Sequence, residues 1–261
     1  MNQALWVAKT GLDAQQYSMN AITNNLANVN TVGYKRNRAV FESLLYQVQR
    51  QPGSQSSENS ALPSGLVEGT GVKTVATQKN FSQGAVLQTE NQLDVMVNGR
   101  GFFQVELPDG SIGYTRDGQF QVNSEGLLVT ANGYPLASSI TLPQGVTSVS
   151  IGSDGNVGAT TAGEVAPTQV GTIELADFIN PAGLQAIGGN IYLETAASGS
   201  PQTGTAGSNG LGIINQGALE SSNVNIVEEL VSLIETQRAY EMNSKAISAI
   251  DNMMQYSDQV L

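Results

Sequence analysis

The sequence predicts an α+β fold: discontinuous N- and C-terminal helices pair as an α-helical coiled-coil domain, around a central antiparallel β domain with an extended, hairpin-like excursion. Three observations predict it. Leu5, Ala8, Leu12, Gln15, Met19, Ile22, Leu26 and Val29 recur at alternating steps of three and four, and only Gln15 breaks the apolar or small stripe. Leu230, Leu233, Gln237, Tyr240, Ser244 and Ile247 repeat the pattern near the other end. Such steps average about 3.5 residues, the repeat that keeps a seam facing a partner helix. Between the stripes the helical period vanishes, and short alternating runs are cut by Gly, Asp and Asn.

The first helix is expected from Gln3 to Asn30, on the order of 40 Å long at ~1.5 Å per residue. Gly11 lies inside it at a modest cost in propensity. Asn28, Asn30 and Gly33 mark its end, because Asn and Gly accept the left-handed backbone that closes a helix. Asn24, Asn25, Asn28 and Asn30 fall within seven residues. They read either as fraying and capping or as amide contacts that fix the register of packed helices. Extended segments are expected around Val40–Tyr46 and Gly71–Thr77, flanking the Gln-, Ser-, Gly- and Pro-rich stretch 47–65. That stretch contains Gln51, Pro52, Gly53, Leu62 and Pro63, and its polarity would suit disorder in an isolated subunit.

From about Asn80 to Thr195 the signals are β. Val95, Val97, Phe103, Val105 and Leu107 alternate, Pro108-Asp109-Gly110 turns the chain, and Ser111–Thr115 returns it. Asp117-Gly118, Glu125-Gly126, Asn132-Gly133 and Asp154-Gly155 punctuate further short strands, and Ile173, Leu175, Ile191 and Leu193 continue the pattern. Phe102 and Phe103 should point to opposite faces of one strand. Ser198–Gly210 has the composition of a linker. The second helix should start at Asn225, with Glu228 completing a capping box, and run close to Leu261. Its stripe drifts toward Ile250 and Met254 after Ile247. The organisation expected is therefore residues 1–40 and 221–261 as a helical assembly domain, 41–75 as an extended hairpin or linker, 76–197 as a β-rich domain, and 198–220 as a returning linker.

Charge is unevenly placed. The net of -11 divides into +3 over residues 1–40, -10 over 41–220 and -4 over 221–261. Opposite signs at the two ends favour pairing with each other or with neighbouring copies. The acidic body, with no Lys or Arg between Arg116 and Arg238, argues against nucleic acid and would attract a basic collar. The chain has no Cys and no His, which removes disulfide and thiolate chemistry and the usual metal ligands. Asp94, Asp109, Asp117 and Asp154 offer oxygen ligands, but calcium-loop spacing is missing and Asp-Gly is a turn signal by itself. Gly99-Arg100-Gly101 lacks the helix and the pattern of a phosphate cradle and reads as a tight turn. No residue arrangement specifies an enzyme, a cofactor or a metal. No signal peptide and no membrane-spanning run is seen, so direct membrane insertion is not expected. A subunit assembled through its helices is the leading reading. An acidic β-rich module that binds glycan is the alternative from another class.

Asn24–Lys35 (NNLANVNTVGYK) resembles the N-terminal signature of bacterial flagellar rod and hook proteins, and Ser222–Ile247 (SNVNIVEELVSLIETQRAYEMNSKAI) resembles the C-terminal one. Leu93–Val105 (LDVMVNGRGFFQV) and Tyr114–Leu136 (YTRDGQFQVNSEGLLVTANGYPL) are similar to the family's central β region. Phe41–Ser57 (FESLLYQVQRQPGSQSS) resembles the distal-rod members more than the proximal-rod subunits or the hook. The resemblance implies a helical homopolymer, a rigid hollow drive shaft that transmits torque from motor to hook, with the terminal helices lining the channel and the β domain outside. It implies as partners the chain itself, the flagellar hook protein, the proximal-rod proteins, the peptidoglycan and outer-membrane ring proteins, and the flagellar type III export apparatus. It implies a place in the basal body, across the periplasm to the outer membrane, reached without a cleavable signal peptide. The assembly interface expected from the seams and the resemblance comprises Leu5, Leu12, Met19, Ile22, Asn25, Leu26, Asn28 and Val29 with Leu230, Leu233, Gln237, Tyr240 and Ile247. Gln51, Pro52, Gly53, Leu62 and Pro63 belong to the excursion expected to stiffen the shaft.

Overall fold

Among the described residues, two long helices and twenty-one short strands divide between two units. The computed structural model describes residues 3–51, 53, 55–57, 60–61, 64–162 and 166–260. The first unit comprises Met1–Ala27, Asn37–Gln78 and Asn225–Leu261; the second comprises Asn28–Arg36 and Lys79–Val224.

In the first unit, helix α1 spans Gln3–Ala27. It stops three residues before the expected Asn30, because the chain turns at Asn28, whose carbonyl accepts the Thr31 N–H at 3.1 Å. The strands that follow are β1 (Asn37–Ser43), β2 (Tyr46–Arg50), β3 (Gln55–Ser57), β4 (Ser60–Ala61), β5 (Leu66–Gly69) and β6 (Val72–Lys79). They pair β1 with β6, β2 with β5 and β3 with β4, the last two antiparallel, a nested ladder that joins the described residues of 37–79 in one long hairpin. Its base is tied to α1 twice. Asn25 grips the backbone of Asn37 through both ends of its amide, and Thr10 Oγ1 accepts the Val72 N–H at 3.3 Å.

Helix α2 spans Ile226–Val260. Asn225 caps it, its side-chain oxygen accepting the Val227 N–H at 3.1 Å and its carbonyl the Glu229 N–H at 3.0 Å. Glu228 and Glu229 add negative charge at the electropositive end. The two helices run antiparallel: Asn25 bonds Glu229 at 3.2 Å, while a side chain on Gly11 would begin 3.1 Å from Asn243. Both pairs of positions are 14 residues apart on their own helix, two whole heptads.

The second unit contains β7 (Val86–Gln88), β8 (Val95–Asn98), β9 (Phe102–Glu106), β10 (Ile112–Thr115), β11 (Phe120–Val122), β12 (Leu128–Thr130), β13 (Val146–Ile151) and β14 (Asn156–Thr161). After these come β15 (Thr168–Thr172), β16 (Glu174–Asp177), β17 (Gln185–Gly188), β18 (Ile191–Leu193), β19 (Gln202–Thr205), β20 (Ile213–Gln216) and β21 (Ala218–Glu220). A six-stranded antiparallel sheet in the order β17-β18-β10-β9-β16-β19 organises it. Phe102 and Phe103 point to its two faces, and both are buried. Phe103 meets Phe120 edge-on at 5.2 Å in the larger core, and Phe102 packs with Tyr114, Phe178 and Tyr192 in a second cluster. The turn residues do local work: Asp109 accepts the Ser111 N–H, Asp117 the Gln119 N–H and Asp154 the Asn156 N–H. Gly99 takes a positive φ of 113°, and Arg100 pairs with Asp177 at 2.9 Å.

One expectation gives way here. Residues 198–220 are not a linker, since they contain β19 on the edge of the large sheet and the strands β20 and β21, which pair with β8 and β7. Gly and Ser set its composition, but the backbone bonds of Gln202–Thr205 to Glu174–Asp177 need no apolar side chains.

Candidate assembly surfaces

On the two helices, Ala14, Asn25, Glu229 and Thr236 are buried. They lie on stripes of small and polar residues: Ala4, Val7, Gly11, Ala14, Ser18, Ala21 and Asn25 on α1, and Glu229, Ser232, Thr236, Ala239, Asn243 and Ala246 on α2. Each stripe sits one position before the larger apolar seam expected from the sequence. The expected pairing of those seams with each other is therefore corrected. Within the chain the helices meet through the small faces, which let two backbones approach closely, and the larger ridges are rotated by about 100°. Leu5, Leu12, Met19, Ile22, Leu26, Asn28 and Val29 are half-buried, as are Leu233 and Ile247, whereas Leu230, Gln237 and Tyr240 are exposed.

Asn25 is the polar centre of the first unit. Its amide nitrogen donates to the Asn37 carbonyl at 2.8 Å and to Glu229 Oε2 at 3.2 Å, and its oxygen accepts the Asn37 N–H at 2.8 Å. One side chain thus joins α1, the hairpin base and α2. Asn28 acts within its own turn, accepting from the Thr31 hydroxyl at 3.2 Å.

Two apolar surfaces of this unit face solvent. On α2, Val227, Leu230, Val231 and Ile234 are 42–68 % exposed. Their spacing places them on the side of the helix opposite Glu229 and Thr236. On the hairpin, Leu45 is 89 % exposed, and Tyr46, Val48, Leu66, Val67 and Val75 are exposed on its strands. Gln51 is exposed, and Gly53 turns with φ at 81°; Pro52, Leu62 and Pro63 lie outside the described residues. An open, mainly apolar groove of about 790 Å³ runs along Val7, Ala8, Gly11, Val72, Ala246 and Ile250 in the same unit. Contiguous apolar faces of this kind differ from the single scattered apolar residues of an ordinary monomer surface. No helix among the described residues is long and apolar enough to cross a membrane.

Residues 5–35 match the model of the flagella basal body rod protein family. Residues 96–159 match that of the flagellar hook protein FlgE/F/G D1 domain, and residues 215–260 that of the flagellar basal body rod FlgEFG protein C-terminal region. A flagellar basal-body rod protein FlgG of Buchnera aphidicola subsp. Schizaphis graminum is 53 % identical over 100 % of both chains. The FlgG protein of Borreliella burgdorferi is 46 % identical over 97 % of both, and that of Caulobacter vibrioides 44 % over 99 %. This chain belongs to the flagellar basal-body rod family. Its function is structural, not enzymatic.

The large apolar seams do not disclose the small-face pairing or the Glu229 contact, because the facing stripe is marked by small size and not by apolar bulk. The alternating three and four steps of Gly11, Ala14, Ser18, Ala21 and Asn25 are the signal that would have found them.

Proposed function

We propose that the chain is a structural subunit of the flagellar distal rod. It polymerises into a rigid hollow helical shaft that carries torque from motor to hook through the peptidoglycan and outer-membrane rings. The observation that carries this reading is the apolar surface left open on the assembly unit, Val227, Leu230, Val231 and Ile234 on α2 with Leu45 on the hairpin, in a chain whose full-length relatives are rod proteins. Burying such a face stabilises association by about 25 cal/mol per Å² of apolar area.

In this reading the small faces close the helix pair within a subunit, and the ridges of Leu5, Leu12, Met19, Ile22 and Leu26 with Leu230, Leu233, Tyr240 and Ile247 form coiled-coil contacts with neighbouring copies. Residues 37–79 reach across neighbours. The hook protein and the proximal-rod proteins meet the two ends of the shaft, the ring proteins surround it, and the export apparatus delivers the chain to the periplasm without a cleavable signal peptide.

Leu230→Asp tests the proposal. A charge placed in that contact costs several kcal/mol, as an order of magnitude, if it stays unpaired. The purified variant should keep the wild-type circular dichroism yet fail to form tubes seen by electron microscopy, and cells carrying it should not swim. Glu125→Gln, on the exposed surface of the second unit, should behave as wild type. Normal tubes and swimming with Leu230→Asp would remove α2's outer face from the assembly contact.

A further inference from the structure

The β unit holds two cations in its interior. Lys35 is 1 % exposed and Arg116 5 %, and one carboxylate, Glu220, serves both. Glu220 Oε1 accepts from Lys35 Nζ at 2.5 Å and from the Gly84 N–H at 2.8 Å, while Oε2 accepts from Arg116 Nη1 at 3.3 Å. Further donors go to backbone: Lys35 Nζ to the Ser82 carbonyl at 2.8 Å, and the Arg116 terminal nitrogens to the carbonyls of Gly99 at 2.8 Å and Val97 at 3.4 Å, while Arg116 Nε is buried without a hydrogen-bond partner among the described residues. The guanidinium also lies 5.2 Å from the Phe102 ring centre. The backbone of Glu220 closes the same place, its carbonyl accepting the Gly33 N–H at 2.8 Å while Ala218–Glu220 pairs with Val86–Gln88. There is no slack around it. Gly33 has φ at 69°, and a side chain there would begin 2.8 Å from the Arg116 backbone.

The order of these residues along the chain matters. Lys35 lies near the start of the unit, Arg116 in its middle and Glu220 four residues before its end at Val224. Burial lowers the pKa of Lys35 and of Arg116, and Glu220 opposes the shift in both. Packing the two cations together without Glu220 would leave like charges desolvated and unpaired, which is strongly unfavourable. In water the same groups carry no such penalty. The β9–β10 hairpin, by contrast, needs only neighbouring residues, with Phe103 opposite Thr115 and Glu106 opposite Ile112.

We propose that Glu220 is a late-closing latch: residues 28–36, 79–99 and Arg116 close around their buried cations only when strand β21 brings this carboxylate, so that the unit stays open on any shorter length of chain. Closure then waits for nearly the whole unit to be available, and the local hairpins form ahead of it.

Refolding of the full chain from urea, pulse-labelled by hydrogen exchange, tests the order directly. The Gly33 and Gly84 amides, which donate to Glu220, should gain protection after the amides of β9 and β10. E220Q should speed unfolding of this unit about tenfold or more while its refolding rate stays within about twofold of wild type, the signature of a contact made after the transition state. E220D, which keeps the charge on a shorter stem, replaces it if E220Q does not fold. E174Q, on an exposed position of β16, should change neither rate. Protection of Gly33 and Gly84 together with or before the β9–β10 hairpin, refolding slowed in proportion to the lost stability, or no change in stability would each overturn the latch.

Discussion

At the scale of single residues, the buried tyrosines set the alkaline limit of the β unit. Tyr192 packs edge-on against Phe81 at 5.3 Å, and burial raises its pKa, with Tyr34 and Glu220 adding to the shift. Burial also raises the pKa of Tyr114, which meets Phe178 edge-on at 4.8 Å. An unfolded chain releases these protons near pH 10, whereas the folded one retains them, so the contribution of each tyrosine is complete below about pH 10 and is lost as pH rises through the folded value. Lys35 and Lys79, whose pKa values burial lowers, act oppositely, adding stability as pH rises up to about 10.4. Above that the tyrosines decide. An absorbance titration should show part of the tyrosine ionisation lagging until the unit unfolds. Tyr192→Phe should reduce the lagging fraction and move alkaline unfolding to higher pH. Ionisation of Tyr192 in the folded unit near pH 10 would contradict this.

At the scale of elements, the distance between α1 and α2 rests on Gly11, where an added side chain would begin 3.1 Å from the Asn243 amide nitrogen. Two effects compete there. Gly→Ala inside a helix gains about 0.5–1 kcal/mol of propensity, and the Asn243 amide, the end of a flexible side chain, can move by the few tenths of an ångström that a methyl needs. A leucine cannot be fitted that way, and overpacking costs about 1–3 kcal/mol. Gly11→Ala should therefore be close to neutral, whereas Gly11→Leu should loosen the pair, read as faster hydrogen exchange over Thr236–Ile250. Equal exchange in the two variants would show that the small faces do not set the spacing. The same helices show what a sequence discloses. Their starts, the Asn225 cap and the β9–β10 turn are written in local chemistry and were legible, whereas the end of α1 falls three residues short of the expected one. The facing stripe was not, because two stripes with the same period run side by side on each helix and only the partner's shape selects between them. Strand β19 was hidden for a related reason: Gln202-Thr203-Gly204-Thr205 has no apolar alternation, and its place depends on backbone bonds to a strand distant in the chain, with Glu174 opposite Thr205 and Asp177 opposite Gln202. Glu220 carried no local signal at all, since its meaning lies in Lys35 and Arg116.

At the scale of the whole molecule, the proposed assembly makes the hairpin of residues 37–79 the element that resists bending between subunits. It exposes Leu45, Tyr46, Val48, Leu66 and Val67, and none of its described residues is buried. Holding it in one place costs on the order of 1–2 kcal/mol per residue in backbone entropy, so contacts with other copies must supply the return. Removing Gln51–Leu62 isolates that contribution. The register pairs Arg50 with Leu66. Pro63-Ser64-Gly65 would then close β2 onto β5 as a three-residue loop, a common hairpin connection. The ladders β1–β6 and β2–β5 and the Asn25 grip on Asn37 remain. The shortened chain should thus fold and still polymerise through its helices, but its tubes should bend more easily. Persistence length measured from images of wild-type and shortened tubes is the deciding quantity. Unchanged stiffness would mean that the tip of the hairpin is a surface loop and that the helices alone make the shaft rigid, while loss of polymerisation would move the principal assembly contact from the helices to the hairpin tip.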